Sequence, residues 1–398
     1  MTAAPPRLQR AAPRLRVQLL AATLARIILN TGHRMVYSFL PVISRGLGVP
    51  LETLTALLSL RGALGMTSPL FGAIPDRLGR RTAMLIGLAL FCVGVALPGL
   101  IPGPVAFVAF LTLVVMSKFI FDPALQAYLG DRTPYRRRGL VIAFTEMGWS
   151  GAALIGIPLA GLLISRGTWR SPFLPLAAAG LVVGVVLWYL IPSDAPARAH
   201  AKEAGASFAP SIWRNPVVLA GLSLGFMLSA GNEILGVVYA AWLERSFGLS
   251  VAALGFSTTI IGIAELSGEG LVMAFADRLG KRPAIGIGMA ATAVAYFAMP
   301  FTGGSLELAL VGLFVVFIAF EFTMVATLPL MTELVPEARG RVMTANVAVF
   351  SAGRMAGALI GGRLFPLGFL WIGIAAASCS LIGLLVIVFF VRERGHHE

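Results

Sequence analysis

The sequence predicts an all-α membrane protein with twelve transmembrane helices in two parallel six-helix repeats. Three observations predict it. The 398-residue chain is 58% hydrophobic and only 12% charged, about half the ~25% of an average soluble chain, and its mean hydropathy is +0.87. Its apolar residues are gathered into runs of membrane-crossing length. The second half of the chain repeats polar landmarks of the first at a constant offset. A soluble globule of this size needs a polar coat that this composition does not supply, whereas a lipid solvent accepts an apolar exterior. The 45 Gly and 24 Pro fit the same solvent, because both are commoner in membrane helices than in soluble ones.

A helix needs about 20 apolar residues to cross ~30 Å of hydrocarbon. Such runs fall near 17–42, 52–72, 82–101, 104–128, 139–164, 171–192, 215–243, 250–273, 283–301, 305–331, 341–363 and 367–391. The first follows Arg7, Arg10, Arg14 and Arg16 and reads as a retained span rather than a cleaved signal. The longest polar connector, 193–214, is rich in Ala, Pro and Ser. It divides the chain into an N-terminal bundle, 1–192, and a C-terminal bundle, 215–398.

Charge sets the expected orientation. With the N-terminus inside, Lys and Arg concentrate on the cytoplasmic side, and the outer loops hold only Arg45, Arg166, Arg170, Arg245 and Arg363. This asymmetry places both termini in the cytoplasm. It also accounts for the formal net charge of +13 without nucleic acid, since the basic clusters lack aromatic interleaving. A prokaryotic inner membrane and a functional monomer are the expected setting. Cys92 and Cys379 sit in apolar runs far apart, so neither a disulfide framework nor a metal site is expected. No cofactor is expected either; the G-x-x-x-x-G-K-[ST] loop of ATP-driven proteins is missing.

The repeat is specific. At an offset of 201 residues, Asp76-Arg77-Leu78-Gly79-Arg80-Arg81 falls on Asp277-Arg278-Leu279-Gly280-Lys281-Arg282, and Arg138-Gly139, Gly156 and Gly161 fall on Arg339-Gly340, Gly357 and Gly362. Six spans separate the copies, so both have one orientation, as in transporters with parallel repeats. The segment from Gly72 to Arg81, between the second and third spans, resembles the G-x-x-x-D-R-x-G-R-R signature of the major facilitator superfamily. The second copy departs at Met273, where Gly72 stands in the first. The resemblance implies the major facilitator fold, and with it a cytoplasmic latch. Asp76 would meet the positive N-terminus of the eleventh span near Arg341, and Arg80 would pair with Asp131. Asp277, Lys281 and Glu333 would form the mirrored set, with Arg77 and Arg278 beside them. Such contacts would hold while the outside is open.

In the fifth span, Gly148, Gly156, Pro158 and Gly161 look like a degenerate form of the antiporter signature ending G-P-x-x-G-G. Ile157 separates Gly from Pro, and Ala160 replaces a Gly. Close helix approach at Gly and a bend at Pro158 suit a gate; ordinary small-residue packing is the alternative. The chain thus resembles the twelve-span drug/proton antiporter branch. It lacks that branch's Arg early in the fourth span, where Thr112 stands; Lys118 and Asp122 follow later as an i, i+4 pair.

The spans contain Arg26, Arg34, Arg61, Lys118, Asp122, Glu146, Glu233, Glu265, Glu269, Glu321 and Arg354. Each costs roughly 2.5–3.5 kcal/mol on insertion scales, so each needs a partner, water or a proton. Glu146 and Glu265 are expected ~10–12 Å deep, and by resemblance their helices adjoin across the interface between halves. Arg61 and Arg354 lie near mid-depth on the other interface pair. The expectation is one central cavity with an acidic side and a basic side. Glu146, Glu233, Glu265, Glu269, Glu321 and Asp122 are the proton-coupling candidates. Asn30, His33, Arg34, Tyr37, Arg61, Glu233, Glu321 and Arg354 are the candidate substrate-cavity residues.

The function these readings favour is secondary transport by alternating access, as proton-coupled efflux of amphipathic or drug-like molecules. The expected partners are a small molecule, protons and the bilayer. A flippase for lipid-like amphiphiles and an importer of organic anions or sugars remain alternatives. A non-transporting membrane sensor or enzyme is the alternative of another class, although no catalytic cluster or output domain is visible.

Overall fold

A computed structural model describes residues 11–71, 74–133, 135–192, 214–335 and 338–390. Gly72, the connector 193–213, and the side chains of Asp76 and Asp277 lie outside the described residues. The chain runs through α1 (Ala11–Ser38), α2 (Leu40–Leu47), α3 (Leu51–Gly65), α4 (Ile74–Leu78), α5 (Arg80–Leu100), α6 (Pro104–Arg132), α7 (Tyr135–Gly151), α8 (Ile157–Ser165) and α9 (Phe173–Leu190). After the connector come α10 (Pro216–Gly236), α11 (Tyr239–Phe247), α12 (Val251–Leu279), α13 (Lys281–Ala298), α14 (Leu306–Glu333), α15 (Arg339–Leu364) and α16 (Phe369–Phe389).

Among the described residues, ten helical stretches are long and apolar enough to cross a membrane, and α2 with α3, bent by 112°, makes an eleventh. The 28-residue α1 is long enough for a twelfth. It falls short in apolarity because Arg26, Asn30, His33 and Arg34 sit on it, all buried. The expected first span, 17–42, is broken at Phe39, whose backbone leaves the helical region. Pro41 supplies the reason: it has no N–H for the carbonyl of Tyr37. The seventh span breaks in the matching place, between α10 and α11, at Val237 and Val238.

The repeat is visible in backbone geometry. Gly48 (φ 68°) and Gly248 (φ 64°) close the first and seventh spans. Gly79 (φ 86°) and Gly280 (φ 81°) make the turns before α5 and α13. These dihedrals suit a residue without Cβ. One asymmetry appears: α12 runs unbroken to Leu279, whereas the second span breaks after Gly65 and resumes as α4.

Helices of 11–190 pack mainly among themselves, as do those of 216–389. The two sets meet along α3 with α15, along α8 and the turn before it with α12, and more lightly through α2 with α11. The seams are built on glycine. A Cβ on Gly62 would lie 2.6 Å from the backbone N of Met355 and O of Ser351. Gly161 and Gly255 touch backbone to backbone, a Cβ on either lying 3.2 Å from the other's Cα. The Gly161–Gly255 contact and Gly362 packed on Thr55 lie toward the end of the molecule away from the chain ends, here the far side, while Gly62 lies near mid-depth beside Arg61.

Candidate functional site

Residues 152–156 form a π turn in the fifth span, in which Ile157 N–H reaches back to the Ala152 carbonyl. Pro158 follows and is buried. The extra residue per turn re-aims the helix just above Trp149, whose indole enters the molecular centre. Gly148 and Gly156 let this span press on α1, at the Arg26 Cβ and Thr31. Gly161, one turn on, makes the α12 contact described above.

The centre holds the charged residues of the spans. Arg26 donates to both carboxylate oxygens of Glu146 (2.6 and 3.0 Å) and lies 3.5 Å from Asp122. Lys118 bridges Asp122 at 2.9 Å and donates to Asn30 Oδ1. Arg34 forks onto Glu265 at 2.8 and 2.9 Å, donates to the Trp149 carbonyl, and sits 4.4 Å from the Trp149 ring centroid. Trp149 Nε1 donates to Glu265 at 3.1 Å, and Glu265 is only 4% exposed. Tyr37 donates to Glu233 at 2.6 Å, and Arg354 approaches the other Glu233 oxygen at 3.5 Å.

This arrangement differs from two walls of opposite sign. Each of Glu146, Glu233 and Glu265 has its own cation, two of them supplied by α1. Glu146 and Glu265 turn to Arg26 and Arg34 rather than to each other. The physical reason is that α1 runs beside both helices and presents arginines two turns apart, one to each carboxylate.

Three groups remain outside the pairs. Arg61 makes one hydrogen bond, to the His33 carbonyl at 2.9 Å, and sits 5.3 Å from the Tyr37 ring centroid. Glu321 is 8% exposed and has neither hydrogen bond nor ion pair among the described residues. Its Cβ abuts Gly268 of α12, 2.8 Å from where a Cβ there would stand. Glu269, one turn from Glu265, is half-buried and likewise without an ion pair among the described residues.

Two small cavities share Tyr37, Trp149, Glu233 and Arg354. One, about 60 Å³, reaches Arg34, Asn232, Tyr239, Thr258, Glu265 and Phe317. The other, about 120 Å³, reaches His33, Arg61, Lys118, Phe119 and Ser351. Toward the far side Ser38 bonds both Tyr239 and Thr258 at 2.9 Å, and Arg45 forks onto Glu244 at 2.6 and 2.8 Å. Toward the chain ends the centre is wetter: the Glu146 side chain keeps 38% exposure. The access side is therefore the one bearing the chain ends.

In the repeated motif, Arg80 donates to Asp131 at 3.0 Å and Lys281 donates to Glu333. Both pairs lie within one six-helix set, α5 with α6 and α13 with α14. Both are present in this structure, where the far side is sealed. Arg77, Arg278 and Arg341 are exposed. Sequence reading did not single out Trp149, the Ser38–Tyr239–Thr258 cluster or the Arg45–Glu244 pair. The last had a signal: each residue precedes, by three or four positions, the glycine that closes its span.

The Major Facilitator Superfamily model matches residues 22–231 and 221–398. The chain belongs to the Major Facilitator Superfamily. It is accordingly an integral membrane transporter and not an enzyme. It is 27% identical over 296 residues to the Uncharacterized MFS-type transporter YceJ of Bacillus subtilis (strain 168), covering 74% of this chain and 75% of that one. It is 24% identical to Multidrug resistance protein 2 of the same organism, over 80% and 81% of the two chains. With the Inner membrane transport protein YdhP of Escherichia coli (strain K12) it shares 25% identity over 96% and 97%. Among solved structures, the inward-open xylose transporter XylE from E. coli superposes with a TM-score of 0.75 at 17% identity, covering 96% of this chain and 98% of that one. A bacterial homologue of the lysosomal transporter Spinster, inward-facing and unoccupied, gives 0.72 at 17% over 94% and 95%. At such identity these superpositions show the fold alone.

Proposed function

We propose that this facilitator is a proton-coupled antiporter of a prokaryotic inner membrane that exports small amphipathic molecules by alternating access. Residues 1–192 and 215–398 act as two bodies that rock about the central charged cluster, with 193–214 as the cytoplasmic connector. The structure is then the cytoplasm-facing state, with Arg45–Glu244, Gly161–Gly255 and Thr55–Gly362 sealing the outside. The motif pairs Arg80–Asp131 and Lys281–Glu333 brace the cytoplasmic ends within each body, and Asp76 and Asp277 bridge between bodies when that side closes.

The observation that carries the proton is Glu321. An ionised carboxylate buried without a cation is strongly disfavoured; the other cations of this cluster are already paired, and Arg61 faces a cavity that Glu321 does not line. Glu321 therefore holds a proton in this state and gives it up when rocking exposes it to water. Glu269, in the same acidic corner, is the relay toward solvent. Arg34–Glu265, which ties α1 to α12 across the two bodies, is the element that a proton at this corner loosens or tightens. Support also comes from the relatives named as transport and multidrug resistance proteins.

The test is flux in liposomes under an imposed pH gradient. Wild-type efflux should follow the gradient, and Glu321→Gln should retain substrate exchange at equal pH while losing gradient-driven accumulation. Gradient-driven flux that persists in both Glu321→Gln and Glu269→Gln would end this assignment.

A further inference from the structure

Among the described residues, the ion pairs of the centre leave one cation over. Arg26 and Lys118 share Asp122 and Glu146, Arg34 is matched by Glu265, and Arg354 by Glu233. Arg61 is matched by no carboxylate, yet it is only 6% exposed. Its Nη2 is used on the His33 carbonyl, while its Nη1 is buried without a hydrogen-bond partner. His33 Nδ1, on the same cavity wall, is also buried and unpartnered. Lys118 and Arg354 line that cavity as well. The one carboxylate on its wall, Glu233, is taken by Tyr37 and Arg354. The unpaired acids Glu269 and Glu321 do not line it.

A guanidinium in this setting bears a desolvation cost with no counter-charge to offset it. An oxyanion would supply the charge and two acceptors matched to the guanidinium fork. We infer that Arg61 is the anion-binding residue of the central cavity, and that the transported molecule is an organic monoanion, a carboxylate on an apolar body. The inference rests on the transporter reading above and narrows its substrate class. The 120 Å³ cavity takes the carboxylate against Arg61 and His33. The apolar body lies on Phe119, Leu58 and Trp149, and reaches past Tyr37 toward Phe317 in the adjoining cavity. In the unloaded state Arg61 is the destabilised group, and bound substrate neutralises it. A loaded carrier would thus re-orient with a better-balanced centre than an empty one.

The experiment uses the purified full-length protein with phenylbutyrate as probe, and its amide and phenylbutylamine as matched neutral and cationic controls. Melting followed by tryptophan fluorescence should shift upward with phenylbutyrate only. Arg61→Gln should weaken that response by about tenfold or more, the loss of a charge-assisted pair. Arg61→Lys should keep a smaller shift, because it retains charge without the fork. Ligand-free Arg61→Gln should melt no lower than wild type, because it removes an uncompensated buried charge; a merely structural arginine would lower it. The inference is overturned if phenylbutyrate gives no shift, if the amine or amide matches it, or if Arg61→Gln responds as wild type does. It falls alone, with proton coupling intact, if gradient-driven flux of another compound is indifferent to Arg61. Proton coupling falls alone if carboxylates bind through Arg61 but their flux ignores the pH gradient.

Discussion

The seam between α3 and α15 gives the sharpest mechanical prediction, through Gly62→Ala. The new methyl would lie 2.6 Å from Met355 N and Ser351 O, where ordinary contact begins at 3.4 Å. Both obstacles are helix backbone, so no rotamer change relieves them, and the helices must part by about 0.8 Å, the difference between those distances. Overpacking of this kind costs about 1–3 kcal/mol. If the seam seals the far side only in the state seen here, that cost falls on this state and not on the open one. The open-to-sealed ratio then rises roughly 5- to 150-fold. Thr55, buried under Gly362 at the far end of the same seam, reports on it. In a background lacking Cys92 and Cys379, Thr55→Cys should react slowly with a membrane-impermeant maleimide added from the far side. Adding Gly62→Ala should speed labelling by at least about fivefold, the lower end of that range. Unchanged labelling, in protein that still melts cooperatively, would refute the idea that this seam gates access.

Other expectations follow from the charged contacts and turns. Glu265→Gln strands a buried guanidinium and should cost about 3–5 kcal/mol, read as a large drop in melting temperature, whereas Arg34→Met with Glu265→Met should recover much of it. Arg45 is 60% exposed in its pair with Glu244, so Arg45→Gln should cost only about 0.2–1 kcal/mol, and the charge swap Arg45→Glu with Glu244→Arg should restore far-side labelling to the wild-type rate. Gly280→Ala forces a side chain to φ 81°, ψ 152°, a region essentially confined to glycine, and should destabilise by about 1–3 kcal/mol, seen as a lower melting temperature; Gly286→Ala, with nothing nearer than 3.9 Å to its new methyl, should not.

Depth along a helix was readable in the sequence; direction around it was not. Glu146 and Glu265 were expected ~10–12 Å deep, and both belong to the central charged cluster. Their true partners, Arg26 and Arg34, lie 120 and 231 residues away. Which face of α1 meets which helix depends on rotations that residue order does not encode. The paired motifs fared better, because Arg80 and Asp131 end successive helices and a positive-φ glycine fixes their approach. Pro41 marked the break in the first span, but the apolar run around it masked the signal. The glycines along the α3–α15 seam, Gly62 and Gly65 included, stand in the sequence only as small residues. A small residue announces a close neighbour without naming it.

The polar load of α1 has a consequence for how the protein is made. Arg26 and Arg34 enter the membrane region first, and each costs roughly 2.5–3.5 kcal/mol at a helix centre. Their compensating carboxylates, Glu146 and Glu265, lie 120 and 231 residues further on. At about 5–20 residues per second of synthesis, the first arrives roughly 6–24 s later and the second roughly 12–46 s later. During that interval α1 has no reason to settle in lipid on its own. It should stay against the insertion machinery or a chaperone until the fifth and eighth spans emerge, so that α1, translated ahead of its partners, is integrated only with them. A chain truncated before residue 146 should leave α1 extractable by alkaline carbonate, and one that ends beyond residue 279 should not.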